Sequence, residues 1–372
     1  MIRTVLHVID TWGPGGAETV CVEVAGGLDP ARWRSRGSVI KEGWVYDTMR
    51  QRGLAPTIVP VGRGVFDVGF LMGLRRLGRR EGATLLQTHL AEANLYGALA
   101  GRLLGVPSVA TFHGFQDFGG RGAKARLKLQ LTARGATRLV FVSDALRREF
   151  LRRVALDPRR TAVIHNGIDT ELFTPRRSDT LRRELQLGPD AVLVGAVGNV
   201  REAKAYDTLL HTAALALQRD PCLRFVVAGR HRPPLSDELL ALRARLGLES
   251  RVHFLGFRED PAVVINGLDV YLSTSRSEGF SLTVVQAMAC AVPVIATRSG
   301  GPEEIVTDGV DGILVAVDDV PSLAGAVCDV AGDAALRQRL GAAGRRTAVE
   351  RFSVRKMVDA YTALYDELLN GR

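Results

Sequence analysis

Short apolar segments alternate with longer amphipathic ones along nearly the whole chain of 372 residues. The short segments are rich in Val, Ile and Leu and are nearly continuously apolar, which is typical of strands buried on both faces of a parallel sheet. Segments with helical periodicity separate them, as in doubly wound α/β proteins. The predicted strands are 4–10, 38–40, 57–61, 85–89, 108–114, 138–143 and 161–168, then 192–199, 224–229, 252–257, 270–275, 293–297 and 312–317.

A polar, proline-containing segment at 174–190 separates two complete runs of this α/β pattern. The chain is also longer than one hydrophobic core usually serves. We therefore predict two doubly wound parallel-sheet domains, 1–175 and 176–352, that face a central cleft. The last segment, 353–372, contains one more amphipathic helix with no strand after it.

Composition narrows the class of protein. Hydrophobic residues make up 46% and charged residues 24% of the chain, as in soluble globular proteins, and no apolar run reaches the ~20 residues of a membrane-spanning helix. The N-terminus lacks the length and cleavage site of a signal peptide. The four cysteines form no CxxC pair, so disulfides and a structural zinc site are not expected. These features favour a cytoplasmic protein.

The net charge of +9 is concentrated in the first half, where residues 1–180 carry an excess of +11 and residues 181–372 carry −2. Basic segments at 74–80 and 121–134 could face an anionic lipid surface or an anionic acceptor. A solvated helix face explains the same segments and is the preferred interpretation of them alone. Nucleic acid is not expected as a partner, because the basic segments lack interleaved aromatic residues.

Two glycine-containing loops follow predicted strands. The loop "GPGGAE" at 13–18 offers bare backbone amides at a helix N-terminus, which suits an anionic group, although a tight turn explains the glycines equally well. The loop "GNVREAK" at 198–204 places Arg201 and Lys204 three residues apart. Both could reach one diphosphate if a helix begins there. A solvated pair at a helix start is the alternative.

A third loop carries a single carboxylate, Glu278, followed by Gly279 and a helical apolar pattern from about Phe280. The amides of Ser281 and Leu282 would then be unpaired donors at a helix start, suited to a diphosphate or to sugar hydroxyls. Glu278 could accept hydrogen bonds from sugar hydroxyls. Its alternative role is a helix-dipole partner worth ~0.5 kcal/mol.

His113 ends the predicted strand 108–114, at the sheet edge where doubly wound proteins bind ligands. A single histidine is more often structural than catalytic, and this position favours a functional role more than a histidine elsewhere would. The sequence has no GxSxG, HExxH or DxD pattern. It therefore gives no sign of a serine nucleophile or of a metal site.

Eight short segments taken together resemble glycosyltransferase family 4, the retaining sugar-nucleotide transferases with the GT-B fold of two Rossmann-like domains. They cover nearly the whole chain in the family's order and spacing, which is specific for the family but not for donor or acceptor. The segments are "GPGGAE", "TFHG", "IHNGID", "GNVREAK", "VVAG", "VHFLGFRED", "SEGFSLTVVQAMACAVPVIAT" and "SGGPEEIV".

The resemblance implies roles for individual residues. His113 would lie near the transferred sugar, Glu278 would contact it, and Lys204 would bind the diphosphate. These three and Arg201 are the catalytic candidates. The C-terminal helix would cross back to the first domain. The expected donor contacts are Gly15, Gly16, Arg201, Lys204, Glu278, Gly279, Phe280, Ser281, Leu282 and Gln286.

Two positions depart from the family pattern. The usual phosphate-binding arginine, five residues before the lysine, is Asn199, and Arg201 could reach the same phosphate. The second glutamate of the E-x7-E motif, which normally holds the ribose, is Gln286. An amide can accept a hydrogen bond but brings no charge, so ribose binding should be weaker by ~1 kcal/mol.

The resemblance thus implies transfer of a sugar from a nucleotide diphosphate sugar to an acceptor hydroxyl, with retention and without a metal. A UDP-sugar is the favoured donor and a GDP-sugar the alternative. The nucleotide sugar acts as co-substrate, and no tightly bound cofactor is expected. The basic first half suggests an anionic or membrane-borne acceptor and peripheral contact with the inner face of the cell membrane.

Two other functions remain open from the sequence. A GT-B epimerase would act on the sugar nucleotide itself and would need an acid and a base. The carboxylates near predicted strand ends in the first half are the candidates: Asp10, Glu92, Asp117 and Asp144. An inactive nucleotide-sugar-binding relative would explain Asn199 and Gln286.

Overall fold

The structure is a computed structural model that describes residues 2–62, 66–120 and 122–371. Contacts divide the chain into two compact units. The first unit is Met1–Gly167 together with Val354–Arg372, and the second unit is Ile168–Ser353. Each unit is an α/β layer structure with its own parallel sheet, so the predicted fold class is confirmed.

Within its described residues, the first unit contains a seven-stranded parallel sheet. The strands are β1 (Arg3–Ile9), β2 (Trp33–Val39), β3 (Thr57–Ile58), β4 (Leu85–His89), β5 (Ser108–Phe112), β6 (Arg138–Phe141) and β7 (Thr161–Val163), in the order β3-β2-β1-β4-β5-β6-β7. β1 pairs with β2, Arg3 opposite Trp33, and with β4, Val5 opposite Leu85. The helices between the strands are α1 (Gly16–Gly27), α2 (Trp44–Gln51), α3 (Val68–Glu81), α4 (Ala91–Leu104), α5 (Ala123–Gly135) and α6 (Asp144–Arg153).

The described part of the second unit repeats the plan with six parallel strands. They are β8 (Val192–Val197), β9 (Leu223–Ala228), β10 (Val252–Gly256), β11 (Val270–Ser273), β12 (Val294–Thr297) and β13 (Ile313–Val315), in the order β10-β9-β8-β11-β12-β13. β8 pairs with β9, Val192 opposite Leu223. The helices are α7 (Thr180–Glu184), α8 (Tyr206–Arg219), α9 (Leu235–Arg245), α10 (Pro261–Asn266), α11 (Leu282–Ala289), α12 (Pro302–Ile305), α13 (Val320–Gly332) and α14 (Ala334–Arg351).

The terminal helix α15 (Val354–Asn370) belongs to the first unit, although it follows the second in sequence. Its buried residues include Tyr361 and Tyr365, four apart, which face the first unit's core. It lies close to α1 because position 27 is glycine: a Cβ on Gly27 would come within 2.7 Å of Val358 Cγ2.

The two units divide at 167/168, upstream of the predicted 175/176. The backbone of the intervening segment is held by the second unit, whose Arg345 donates to the carbonyl oxygens of Thr170 (3.1 Å) and Phe173 (2.8 Å). Ile168 likewise donates to the Phe352 carbonyl at 2.9 Å. These partners lie far away in sequence, so the polar composition of the segment did not reveal them.

In each sheet, the chain adds strands first on one side of the first strand and then on its other side. β1 lies between β2 and β4, and β8 lies between β9 and β11. Doubly wound proteins bind ligands beyond the carboxyl ends of the strands at such a reversal. A ligand is therefore expected at the loops that follow β1 and β4 in the first sheet and β8 and β11 in the second. The loop after β5, the strand next to β4, borders the first of these positions. None of the described helices is both long and apolar enough to cross a bilayer.

Candidate functional site

Lys204 and Glu278 form a short ion pair in the second unit, with Nζ and Oε1 2.6 Å apart. The side chains are 21% and 13% exposed, so water screens the pair only partly. Ser275 Oγ donates to the same carboxylate oxygen at 2.8 Å. Burial lowers the pKa of Lys204, but the Glu278 carboxylate outweighs it and the pKa is raised overall. The loops after β8 and β11 thus hold two opposite charges in fixed contact.

The lysine is positioned by a compact turn rather than by a helix. A helix starting at Arg201 was one expectation, but α8 begins only at Tyr206, after a short 3₁₀ turn at Glu202–Lys204. Ala205 adopts a left-handed conformation with φ 49°, and Thr274 Oγ1 donates to the Lys204 carbonyl at 3.1 Å. The turn therefore aims the lysine side chain at the end of β11.

Two glycines allow the segments that follow β8 and β9 to approach each other closely. A Cβ on Gly229 would lie 1.9 Å from the Gly198 carbonyl oxygen. A Cβ on Gly198, whose φ is 159°, would lie 3.0 Å from Lys204 Cε. Both glycines lie in segments of the predicted family pattern, "GNVREAK" and "VVAG", but the close approach of the two strand ends was not predicted.

The N-terminus of α11 is held by the neighbouring segment Ser299–Gly301. Glu278 N donates to the Ser299 carbonyl at 2.8 Å and Gly301 N donates to the Glu278 carbonyl at 2.9 Å. The predicted helix start near Phe280–Ser281 is displaced, since α11 begins at Leu282 with Ser281 as its N-cap. Within the described residues the Ser281 side chain makes no capping bond, which leaves the first amides of α11 for a ligand.

Gln286 lies one turn after Leu282 on the same side of α11, and both side chains are half-buried. The Gln286 amide therefore lies one turn beyond the N-terminus of α11, on the face of the helix that also carries Leu282. This placement follows from the i, i+4 spacing that the sequence already contains.

Asn199 has a structural role that an arginine could not fill. Its Oδ1 accepts a hydrogen bond from Arg230 N at 3.0 Å, and so ties the end of β8 to the end of β9. A guanidinium has no acceptor. Arg201 is exposed, and its charge lies near enough to Lys204 to oppose slightly the overall rise in the pKa of the lysine. Arg230, which the sequence analysis missed, follows β9 with its guanidinium 5.2 Å from the centre of the Phe257 ring.

In the first unit, His113 follows β5 and contacts His89, the last residue of β4. His113 Nε2 and His89 Nδ1 are 2.9 Å apart, and the rings stack with centroids 5.1 Å apart. Burial lowers the pKa of His113 to about 3, so its imidazole is neutral at physiological pH. His89, the last residue of the predicted strand 85–89, was not among the predicted site residues.

Two buried carboxyl groups accompany this histidine pair. Asp117 Oδ2 accepts from the backbone amides of His113 (2.6 Å) and Gly114 (3.1 Å), and Asp10 Oδ2 accepts from Ala93 N at 2.9 Å, at the start of α4. Burial raises the pKa of Asp10 to about 6 and that of Asp117 to about 7, against the lowering effect of these amide donors. Both groups thus fix backbone at the carboxyl edge of the sheet.

The other two carboxylates considered for an epimerase are paired with cations. Glu92 lies 2.5 Å from Lys128 Nζ, and Asp144 lies 2.6 Å from Arg147. In the first unit a helix follows the glycine-rich loop: Gly15 is the N-cap of α1 and Gly16 its first residue. A Cβ on Gly15 would lie 2.3 Å from Glu18 Oε2.

The structure therefore brings the predicted residues together in two groups. Lys204, Glu278 and the start of α11 lie together in the second unit, with Arg201 exposed beside them. His113 lies in the first unit, which also contains the Gly15–Gly16 helix start at the carboxyl end of β1.

Comparison with known proteins gives consistent matches over both units. Residues 14–172 match the family Glycosyltransferase Family 4, and residues 191–333 match Glycosyl transferases group 1. The D-inositol 3-phosphate glycosyltransferase of Thermomonospora curvata is 31% identical over 313 residues, 76% of this chain and 72% of that protein. The Mycobacterium marinum protein of the same name is 36% identical over 243 residues, 62% of this chain and 50% of the relative. The chain spans about half the length of that relative and of several others.

The same fold occurs in a solved structure. HepE from Anabaena in complex with UDP-glucose matches with a TM-score of 0.88 at 24% identity, over 98% of this chain and 100% of that chain. The likeness in fold agrees with the two parallel sheets seen here. Together with the matches in both halves and a relative aligned over most of its length, it identifies the protein class: the chain belongs to glycosyltransferase family 4, among the group 1 glycosyl transferases.

Proposed function

We propose that the protein transfers a sugar from a nucleotide diphosphate sugar, with a UDP-sugar preferred over a GDP-sugar, to an acceptor hydroxyl. The observation that carries this proposal is the half-buried Lys204–Glu278 pair beside the free helix start of α11. An ammonium and helix-start amides suit a diphosphate, and an adjacent carboxylate suits sugar hydroxyls. The family membership and the UDP-glucose complex of HepE support the choice of donor.

Each group has a separate task in this proposal. Lys204 Nζ carries three hydrogens, so it can keep its bond to Glu278 while it donates to a phosphate oxygen. The amides at Gly279–Leu282 would take further diphosphate or sugar oxygens, and exposed Arg201 would close over the phosphates. Gln286 would accept from the ribose, and His113 would contact the transferred sugar.

The proposed chemistry is electrostatic. As the bond between the anomeric carbon and the diphosphate breaks, negative charge grows on the leaving group, where Lys204 and the α11 amides would stabilise it. Positive oxocarbenium character grows on the sugar. The acceptor hydroxyl would attack from the face the diphosphate leaves, and a phosphate oxygen would take the hydroxyl proton, which gives retention. The cations of the chain supply the charge neutralisation, so we propose that no metal is needed.

The test is a transfer assay with labelled UDP- and GDP-sugars and a chelator. We expect turnover to survive the chelator and the product to keep the donor's anomeric configuration by proton NMR. Loss of turnover on chelation, or inversion at the anomeric carbon, would contradict the proposal. Incubation without acceptor identifies an epimerase, which would change the sugar nucleotide without releasing nucleotide. An inactive relative would turn over no donor even in the complete assay with acceptor.

We also propose that the first unit contacts an anionic membrane surface through α3. Val68, Met72, Arg76 and Arg80 follow one another at intervals of four, so they lie along one side of the helix. Val68 and Met72 are 66% and 39% exposed, and nearby Phe66 is 46% exposed. Exposed apolar side chains beside cations are typical of helices that lie on anionic lipid.

Vesicle sedimentation tests the membrane proposal. Vesicles containing phosphatidylglycerol should sediment the protein, and phosphatidylcholine vesicles should not. Val68→Asp should release it, whereas Leu103→Asp, at a 49% exposed position of α4, should not. Equal binding to both vesicle types, or equal behaviour of the two variants, would contradict the proposal.

A further inference from the structure

A chain of buried polar side chains runs from the terminal helix α15 to His113. Tyr365 Oη donates to Gln87 Oε1 at 2.9 Å, Gln87 Nε2 lies 3.3 Å from His89 Nε2, and His89 Nδ1 lies 2.9 Å from His113 Nε2. Tyr365, Gln87 and His89 are fully buried. All four residues belong to the first unit. The contacts therefore form one continuous path within a single core.

The orientation of the Gln87 amide sets the direction of the hydrogen bonds. Its Nε2 lies 2.8 Å from Thr111 Oγ1 and 3.3 Å from the Thr88 carbonyl oxygen. A carbonyl oxygen can only accept, so the amide nitrogen, not the oxygen, must face Thr88. The same nitrogen faces His89 Nε2. The NH₂ group has two hydrogens: one serves Thr111 at 2.8 Å, and the Thr88 carbonyl and His89 Nε2, each at 3.3 Å, share the other. Because an NH₂ group can only donate, His89 Nε2 can face it only as an acceptor.

The proton positions of both histidines follow from this direction. A neutral imidazole has one donor and one acceptor nitrogen, so His89 carries its proton on Nδ1 and donates to His113 Nε2. His113 then carries its own proton on Nδ1. We propose that Gln87 and His89 are positioning residues that hold His113 as its neutral Nδ1–H tautomer, with one donor of fixed direction for an oxygen of the transferred sugar.

Two further observations support the proposal. Burial lowers the pKa of His89 well below its ordinary value and that of His113 to about 3, so neither ring gains a second proton near neutral pH. His113 Nδ1 is itself buried and has no hydrogen-bond partner among the described residues. A buried donor without an acceptor is unfavourable. An acceptor oxygen of a ligand that reaches Nδ1 would satisfy this donor.

The role assigned to that donor rests on the proposed function, whereas the tautomer does not. The opposite tautomer would present an acceptor to the ligand instead of a donor, without any change in shape. The direction of the hydrogen bonds from Gln87 to His113 can therefore be changed without a change in packing. A nearly isosteric substitution at Gln87 can reverse the direction of these bonds and preserve the shape of the side chain.

Gln87→Glu is that substitution. An ionised carboxylate would accept from His89 Nε2, so His89 Nδ1 would accept from His113 and leave His113 Nδ1 without a proton. Ring-nitrogen NMR of isotope-labelled histidine identifies the tautomers directly. The spectra of the variant are recorded at alkaline pH so that the introduced carboxyl group is ionised, because burial raises the pKa of a carboxyl group. We expect Nδ1–H for His89 and His113 in the unmodified chain and Nε2–H in the variant. We expect its kcat to fall about 100-fold, because a donor to the reacting sugar becomes an acceptor.

Two more variants complete the test. Gln87→Met removes the amide donor without adding a charge, so His89 should show both tautomers, and it replaces the glutamate variant if that one does not fold. Ser38→Ala, a buried polar substitution elsewhere in the first unit, should leave both the tautomers and kcat unchanged. Histidine signals are assigned by single substitution of each ring.

The outcomes are distinct. A proton on His113 Nε2, or on both ring nitrogens, in the unmodified chain at neutral pH would overturn the inference. Unchanged tautomers or unchanged kcat in Gln87→Glu would also overturn it. If the unmodified chain transfers no sugar from any donor, the proposed function fails, and the NMR spectrum still decides the tautomer.

Discussion

Lys204→Met is expected to lower kcat/KM for the sugar donor by about 100- to 1,000-fold. The substitution removes the cation that would neutralise the leaving diphosphate. It also leaves Glu278, whose side chain is only 13% exposed, without its partner at 2.6 Å. An unpaired, half-desolvated carboxylate would then repel the diphosphate. Initial rates with labelled UDP-sugar measure the loss, and thermal unfolding checks that the second unit remains folded.

The matched control is Lys124→Met, at an exposed lysine of α5 in the first unit, which should transfer sugar at the rate of the unmodified chain. Turnover of Lys204→Met at that same rate would refute the assignment of the site.

A companion variant addresses the amide on α11: with Gln286→Glu the donor KM should fall or hold, since a carboxylate accepts from ribose hydroxyls more strongly. A collapse of activity would show that the amide has a role of its own.

Gly229→Ala is expected to destabilise the second unit by about 3 kcal/mol and to weaken UDP binding sharply. The new Cβ would lie 1.9 Å from the carbonyl oxygen and 2.4 Å from the carbonyl carbon of Gly198, so backbone must move. The displaced segment leads directly to Lys204, whose ammonium would lose its position beside Glu278. Denaturant unfolding measures the first effect and calorimetry with UDP the second.

Gly188→Ala is the control for that experiment. Among the described residues other than its two chain neighbours, no heavy atom lies within 4 Å of the Cβ position at Gly188, so its substitution should change neither stability nor UDP affinity. If Gly229→Ala matched this control in both measurements, the close approach of the segments after β8 and β9 would not be a structural requirement.

Much of the fold could be predicted from local pattern. The apolar runs predicted as strands at 192–199 and 224–229 became β8 (Val192–Val197) and β9 (Leu223–Ala228), and the predicted terminal helix became α15 (Val354–Asn370). Such runs are readable because a strand buried on both faces needs apolar side chains at every position. Element ends were less readable, as at α11, which begins at Leu282 because the segment up to Gly301 holds Glu278 in an extended bridge.

The candidate site was only partly readable. Glu278 and Lys204 are marked by their loops and by the family resemblance, but nothing local indicates that these two residues, 74 positions apart in sequence, form an ion pair. Asn199 appeared as a lost phosphate ligand, and its bond to Arg230 N shows a structural reason for the amide. Asp10 and Asp117 appeared as acid–base candidates, yet both are engaged by backbone amides.

The sequence by itself determined the α/β class, the order of elements and the family, because hydrophobic periodicity and short loops are local properties of the chain. The tertiary structure alone decided which polar groups meet. Gln87 and Tyr365 are 278 positions apart, and their hydrogen bond exists only because α15 packs on the first unit. The proton position proposed for His113 follows from the contacts of the Gln87 amide with Thr88 and His89, since the direction of a buried hydrogen bond is set by its partners.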